Sequence, residues 1–198
     1  MKKAGILLLL SLFSVITFSQ TGDDAFYGFG KVPVRDGMVV FSREIPFDTS
    51  KVTSENIYNT TLQWIKGRFV KPIVLSGRIK ETPDRGIAVN AEEYLIFRKT
   101  ALLTDRTRIN YNMTVKVSGH SCILTVTDIN YWYEEERDGG VHFTAEDWIT
   151  DSEAFNRKGT KMMKTTGKFR VKTIDLVNSF EKEIRDIISM LESSAESE

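Results

Sequence analysis

Cysteine is almost absent from this chain. Cys122 is the single one among 198 residues, so no intramolecular disulfide can form and stability has to come from packing. Charge of either sign is not in excess: 27 basic residues stand against 27 acidic ones. A chain this near neutral has no field with which to recruit nucleic acid or an acidic surface by charge alone. Histidine occurs only as His120 and His142, too few and too far apart to suggest a metal centre. Proline occurs four times. Pro33 lies in a glycine-rich leader, Pro46 stops a strand, Pro72 follows a helix and Pro83 sits in a turn. Long apolar runs are missing except at the N-terminus, where Lys2 and Lys3 precede Ile6 to Phe18 and a small-x-small pattern at Thr17 and Ser19. That pattern predicts a secretory signal peptide over residues 1–19. Its apolar core falls short of the ~20 residues that span a bilayer, so no transmembrane anchor is expected after cleavage.

What the chain does have is alternation. From Arg108 to Ser118 the apolar residues Ile109, Tyr111, Met113, Val115 and Val117 share one parity, and Asn110, Asn112, Thr114 and Lys116 share the other. Successive side chains on a strand point to opposite faces, so this is a long half-buried strand. Gly119-His120 turns it into a second strand ending at Tyr133. In that strand Cys122, Leu124 and Val126 share one parity, whereas Ile129, Tyr131 and Tyr133 share the other. The flip predicts a bulge near Thr127-Asp128. Upstream, residues 20–37 read as a flexible leader, with Phe26, Tyr27 and Phe29 as a possible docked arm. Strands are expected over 38–45, 73–80 and 87–98, with Glu93 spoiling the last as a bulge or edge. A helix capped by Thr53 or Ser54 should run to residues 67–69. Residues 134–168 read as an insertion: an acidic turn, a short helix over 145–158, then a basic loop. The strongest helix covers 173–193, with Ile174, Val177, Phe180, Ile184 and Ile188 on one stripe. Residues 194–198 should fray. Residues 38–193 thus make a single domain.

The order is strand, helix, four antiparallel strands, helix. It predicts an α+β fold, β-α-β-β-β-β-α, with a curved five-stranded antiparallel sheet and both helices on one face. With Val39-Val40-Phe41-Ser42, Leu62-Gln63-Trp64-Ile65 and the paired strands 109–117 and 123–131, the chain resembles a bacterial envelope family. That family is a domain of unknown function with a TATA-box-binding-protein-like (TBP-like) fold. The resemblance implies that fold and an exported location, periplasmic or extracellular. It carries over no functional residue.

No catalytic constellation stands out. His120, Ser121 and Cys122 are neighbours on a strand and point to alternate faces. Glu134, Glu135, Glu136 and Asp138 lack the spacing of a calcium loop. The polar strand face, with Arg108 and Lys116, is not strongly basic and lacks the apolar wedges that kink a minor groove, so nucleic acid is not an expected partner. Neither a cofactor nor a metal is expected. The candidate ligand-binding group is aromatic and amide: Tyr131, Trp132, Tyr133 and Trp148, with Asn110 and Asn112. The expected role is non-enzymatic binding of an envelope protein or surface polymer. The alternative is a lipid or glycan carrier with a pocket between sheet and C-terminal helix.

Overall fold

A computed structural model of the chain describes residues 26–196. The expected signal peptide, the first residues of the leader and the last two of the tail lie outside them. A small hairpin comes first, β1 (Val34–Arg35) with β2 (Met38–Val39). The main sheet has six strands: β3 (Phe41–Pro46), β4 (Val74–Thr82), β5 (Gly86–Lys99), β6 (Thr104–Ser118), β7 (Ser121–Tyr133) and β8 (Val141–Thr144). Their order is β3-β7-β6-β5-β4, all antiparallel, and β8 also pairs with β7. The helices are α1 (Ser54–Arg68), the single turn α2 (Asp151–Ala154) and the long α3 (Lys164–Ala195).

The sheet has one strand more than the sequence reading expected. The acidic turn does not lead straight into a helix. Gly139 and Gly140 adopt positive φ and return the chain as β8, which pairs Tyr133↔Val141 through Asn130↔Thr144. β3 covers the other half of the same edge of β7, Phe41↔Val126 through Pro46↔Ser121. The expected bulge separates the two partners. Thr127 pairs with Asn112 and Asn130 with Asn110, so two β7 residues oppose Tyr111 alone, and Asp128 takes φ 52. That extra residue returns Ile129 and Tyr131 to the apolar side.

Both long helices lie on that apolar side. Thr53 caps α1 by accepting from Asn56 N at 3.1 Å. Ile57, Thr61, Leu62, Ile65 and Arg68 are its buried stripe. α3 buries Phe169, Ile174, Val177, Phe180, Ile184 and Ile188, near the helical period. Phe180 contacts Tyr111 of the sheet and Trp64 and Phe69 of the α1 region, with ring centroids 5.8–6.5 Å apart. Phe169 contacts Phe97, Tyr131, Tyr133, Phe143 and Trp148.

Five local expectations change. The helix expected over 145–158 shrinks to α2, because Ala145 N still bonds strand residue Ile129 O and Ile149 is pulled into the core. The basic loop expected to 168 is already helix from Lys164, since Gly167 seats closely on Met162 and Phe169 needs its place among the rings. The leader is docked from residue 27: Tyr27 donates to Asp175, and the buried Arg170 donates to the carbonyls of Tyr27 and Gly28. Glu93 does not stand at an edge, and the bulge expected there lies across from it. The extra residue belongs to the partner strand: β4 pairs Val74 with Glu93 and Ser76 with Glu92, so Leu75 bulges opposite them, while β5 itself is irregular at Ile96/Arg98 and Glu93 is buried against Arg68. The helix also persists to Ala195, two residues into the stretch expected to fray.

Candidate functional site

The other face of the sheet faces solvent and is built from pairs that cross it. Tyr94, Arg108, Trp132 and His142 form one row across β5, β6, β7 and β8. Glu92, Asn110, Asn130 and Thr144 form the next. Asn90, Asn112 and Thr127 follow, then Ala88, Thr114, Thr125 and Ser42. The face is therefore mostly amide and hydroxyl. Part of it is tied in place: Asn90 Nδ2 donates to Asn112 Oδ1 at 2.9 Å, Asn112 Nδ2 donates to the Asp128 carboxylate, and Asn130 Nδ2 donates to Asp128 O at 2.9 Å.

One end of this face carries the charge. The 134–140 turn folds back so that Glu135 accepts from Tyr94 Oη at 2.9 Å and pairs with Arg108. Arg106 lies over the Tyr94 ring at 3.9 Å and pairs with Glu136. Arg108 lies 4.6 Å from the centre of the Trp132 ring, which stacks on His142 at 5.0 Å. Partial burial pulls the Arg108 pKa down, but Glu135, Tyr94 and Glu92 outweigh it and the net shift is upward. Trp132 Nε1 donates to Gly139 O at 2.9 Å, which closes the turn. A cleft of about 460 Å³ opens beside this cluster, between the turn and the β5–β6 connection.

The six residues singled out in the sequence do not form one site. Trp132, Asn110 and Asn112 stand on the open face. Tyr131, Tyr133 and Trp148 stand on the helix side. Tyr131 is buried with its hydroxyl 2.6 Å from Thr173 Oγ1, and burial holds its pKa far above the usual phenol range. Tyr133 donates to Asp105 at 2.9 Å and accepts from Lys168. Trp148 stacks on Phe143 at 4.2 Å. Sequence reading missed Tyr94 and Arg106 and weighed Glu135 only as part of an acidic run, because only the strand register brings them to Arg108. The bulge was the one available signal, since it reverses which β7 residues face out.

The remaining candidates are placed as follows. Cys122 is buried between cross-strand partners Val117 and Ile45, and burial pushes its thiol up to about 12. Ser121 donates to Glu44 at 2.9 Å, and exposed His120 uses its backbone carbonyl to accept from Phe47 N. Among the described residues, no group of three or more His, Cys, Asp and Glu side chains is placed to hold a metal ion.

A curved antiparallel sheet with long helices on one face is the TBP-like α+β architecture. The family model described as "Domain of unknown function (DUF4468) with TBP-like fold" matches residues 41–132. The chain is similar to a solved DUF4468 family protein from Bacteroides ovatus, with 31% identity and a TM-score of 0.74, over 84% of this chain and 95% of that one. The chain belongs to the DUF4468 family. A TBP-like protein from Parabacteroides distasonis has the same fold, with 21% identity and a TM-score of 0.65, over 80% of this chain and 97% of that one. No curated protein matches.

Proposed function

We propose that this protein is an exported, non-enzymatic binding module of the bacterial envelope, and that its open sheet face takes a hydrophilic surface polymer. One observation carries the reading: the rows of Asn, Thr and Ser side chains across β3, β7, β6 and β5 lie on the face opposite both long helices. Amides and hydroxyls offer donors and acceptors at the spacing of paired strands, about 4.8 Å, and suit an uncharged hydroxyl-rich chain better than a polyanion. The Asn90–Asn112–Asp128 chain of hydrogen bonds holds part of this array in advance, which lowers the entropy cost of binding. Export is supported by Lys2, Lys3 and the apolar Ile6 to Phe18.

The carrier alternative needs a hollow between the sheet and the C-terminal helix. Tyr111, Phe169 and Phe180 are all fully buried in that layer. The binding reading is tested by affinity electrophoresis in gels containing envelope polysaccharide. Retardation of the wild-type protein, lost in Asn90→Arg with Thr114→Arg, is the expected result. Equal mobility in gels with and without polysaccharide overturns it. Mass spectrometry of protein recovered from the envelope tests export, with a mature chain beginning at Gln20 as the expected outcome.

A further inference from the structure

The β5–β6 connection and the start of α3 share one end of the molecule. Lys168 of α3 bonds Asp105 of β6 at 2.9 Å, and Phe97 of β5 contacts Phe169 of α3 with ring centroids 4.5 Å apart. At the tip of the connection Leu102 is 98% exposed and Leu103 67%. Single exposed leucines are ordinary on a surface. Here two are adjacent on a projecting turn, and half-exposed Met163 is at the same end. Beside them runs an open groove of about 370 Å³, lined by Phe97, Met162, Met163 and Val171 and edged by Lys164, Lys168 and Lys172.

Charge at this end is not balanced. Lys168 is held by Asp105 and Lys172 by Asp175. On the neighbouring turn Glu134, Glu135 and Glu136 are met by Arg137, Arg108 and Arg106. Among the described residues, Arg98, Lys99, Lys161 and Lys164 have no carboxylate within 4 Å, and Asp138 and Glu153, the latter against the first turn of α3, have no cation. The unpaired remainder is basic: Arg98 lines a cleft with Leu103, Lys99 adjoins the connection in sequence, and Lys164 edges the groove, next to Lys161 and Met162.

We propose that this end docks on an anionic lipid surface. Leu102 and Leu103 enter the interface, while Arg98, Lys99, Lys161 and Lys164 stay at the level of the headgroups. No helix among the described residues is long and apolar enough to cross a membrane. The docking end adjoins the charged end of the open sheet face, where Arg98 and Leu103 line the cleft, but it uses none of the amide and hydroxyl rows, and the docking does not depend on the polymer-binding proposal.

The test places an environment-sensitive fluorophore at the tip. Ala101→Cys supplies an exposed thiol, while native Cys122 is buried and stays unlabelled. Because the label reports the tip itself, vesicle binding through any other segment does not register. With phosphatidylglycerol vesicles the emission should shift to the blue. Phosphatidylcholine vesicles should leave it unchanged, and raised salt should reverse the shift. Leu102→Asp with Leu103→Asp, or Lys99→Glu with Lys164→Glu, should abolish it. A label at exposed Lys182→Cys, far along α3, should not respond. Unchanged tip emission with phosphatidylglycerol, or an equal response at the Lys182 position, overturns the proposal and leaves the leucines to an apolar protein partner.

Discussion

Glu93 shows how a residue that breaks a strand pattern can be central to the interior. It is 2% exposed, its carboxylate lies 2.9 Å from Arg68 Nη2, and Tyr111 Oη donates to it at 2.5 Å. The Arg68 guanidinium also sits 5.4 Å from the centres of both the Phe69 and Phe180 rings. Removing one partner leaves a charge buried without its counter-ion. Glu93→Leu is therefore expected to cost about 3–5 kcal/mol, and Arg68→Met with Glu93→Leu to recover most of that loss. Urea denaturation of the two single variants and the double variant measures both effects. A second expectation concerns pH. Burial pushes the Cys122 thiol from 9.0 up to about 12, and burial beside Glu93 pushes the Tyr111 phenol well above its usual range. The unfolded chain releases these protons at ordinary values, so the folded state holds them more tightly. Their contribution is complete below about pH 9 and falls away as pH rises toward the folded values. Urea midpoints should decline above that pH, and the decline should be shallower in Cys122→Ala.

At the scale of elements, two devices shape the β7 edge. Asp128 at φ 52 makes room for β3 on one side and β8 on the other. Asp128→Val puts a branched side chain in a conformation it disfavours and is expected to cost about 1–3 kcal/mol, while Asp128→Gly is tolerated. Gly140 is the tighter constraint. At φ 73, an added Cβ would lie 2.5 Å from Trp132 Nε1 and 2.8 Å from the backbone at Tyr133 and Glu135. Gly140→Ala should displace the turn, break the Trp132–Gly139 hydrogen bond and alter tryptophan fluorescence. The docked arm depends on Arg170, which bonds the Tyr27, Gly28 and Ile149 carbonyls and pairs with Asp151. Arg170→Met should raise amide exchange across residues 28–40 more than across β6. The bulge was legible because parity flips there. The arm was legible in its aromatic residues, but its anchor Arg170 was not, because it lies about 140 residues away in sequence.

For the whole molecule, the division between the two sheet faces sets the consequences of substitution. Phe169 meets five aromatic rings on the helix side, and Phe169→Ala is expected to cost about 3–5 kcal/mol. Asn90→Arg and Thr114→Arg, on the outward side of the same sheet, should change stability by less than about 0.5 kcal/mol. Thermal unfolding of all three variants checks the contrast. It also separates loss of polymer binding from loss of fold.

Local pattern alone determined the long hairpin, the two amphipathic helices and the single covered face. Alternation and the 3.6-residue period are properties of neighbours in the chain, and burial of one face leaves few ways to assemble them. Tertiary structure decided the rest. β8, the early start of α3, the Arg68–Glu93–Tyr111 cluster and the separation of Trp132 from Tyr131 and Trp148 all depend on partners distant in sequence. Register and long-range charge pairing create those partners only once the chain is packed.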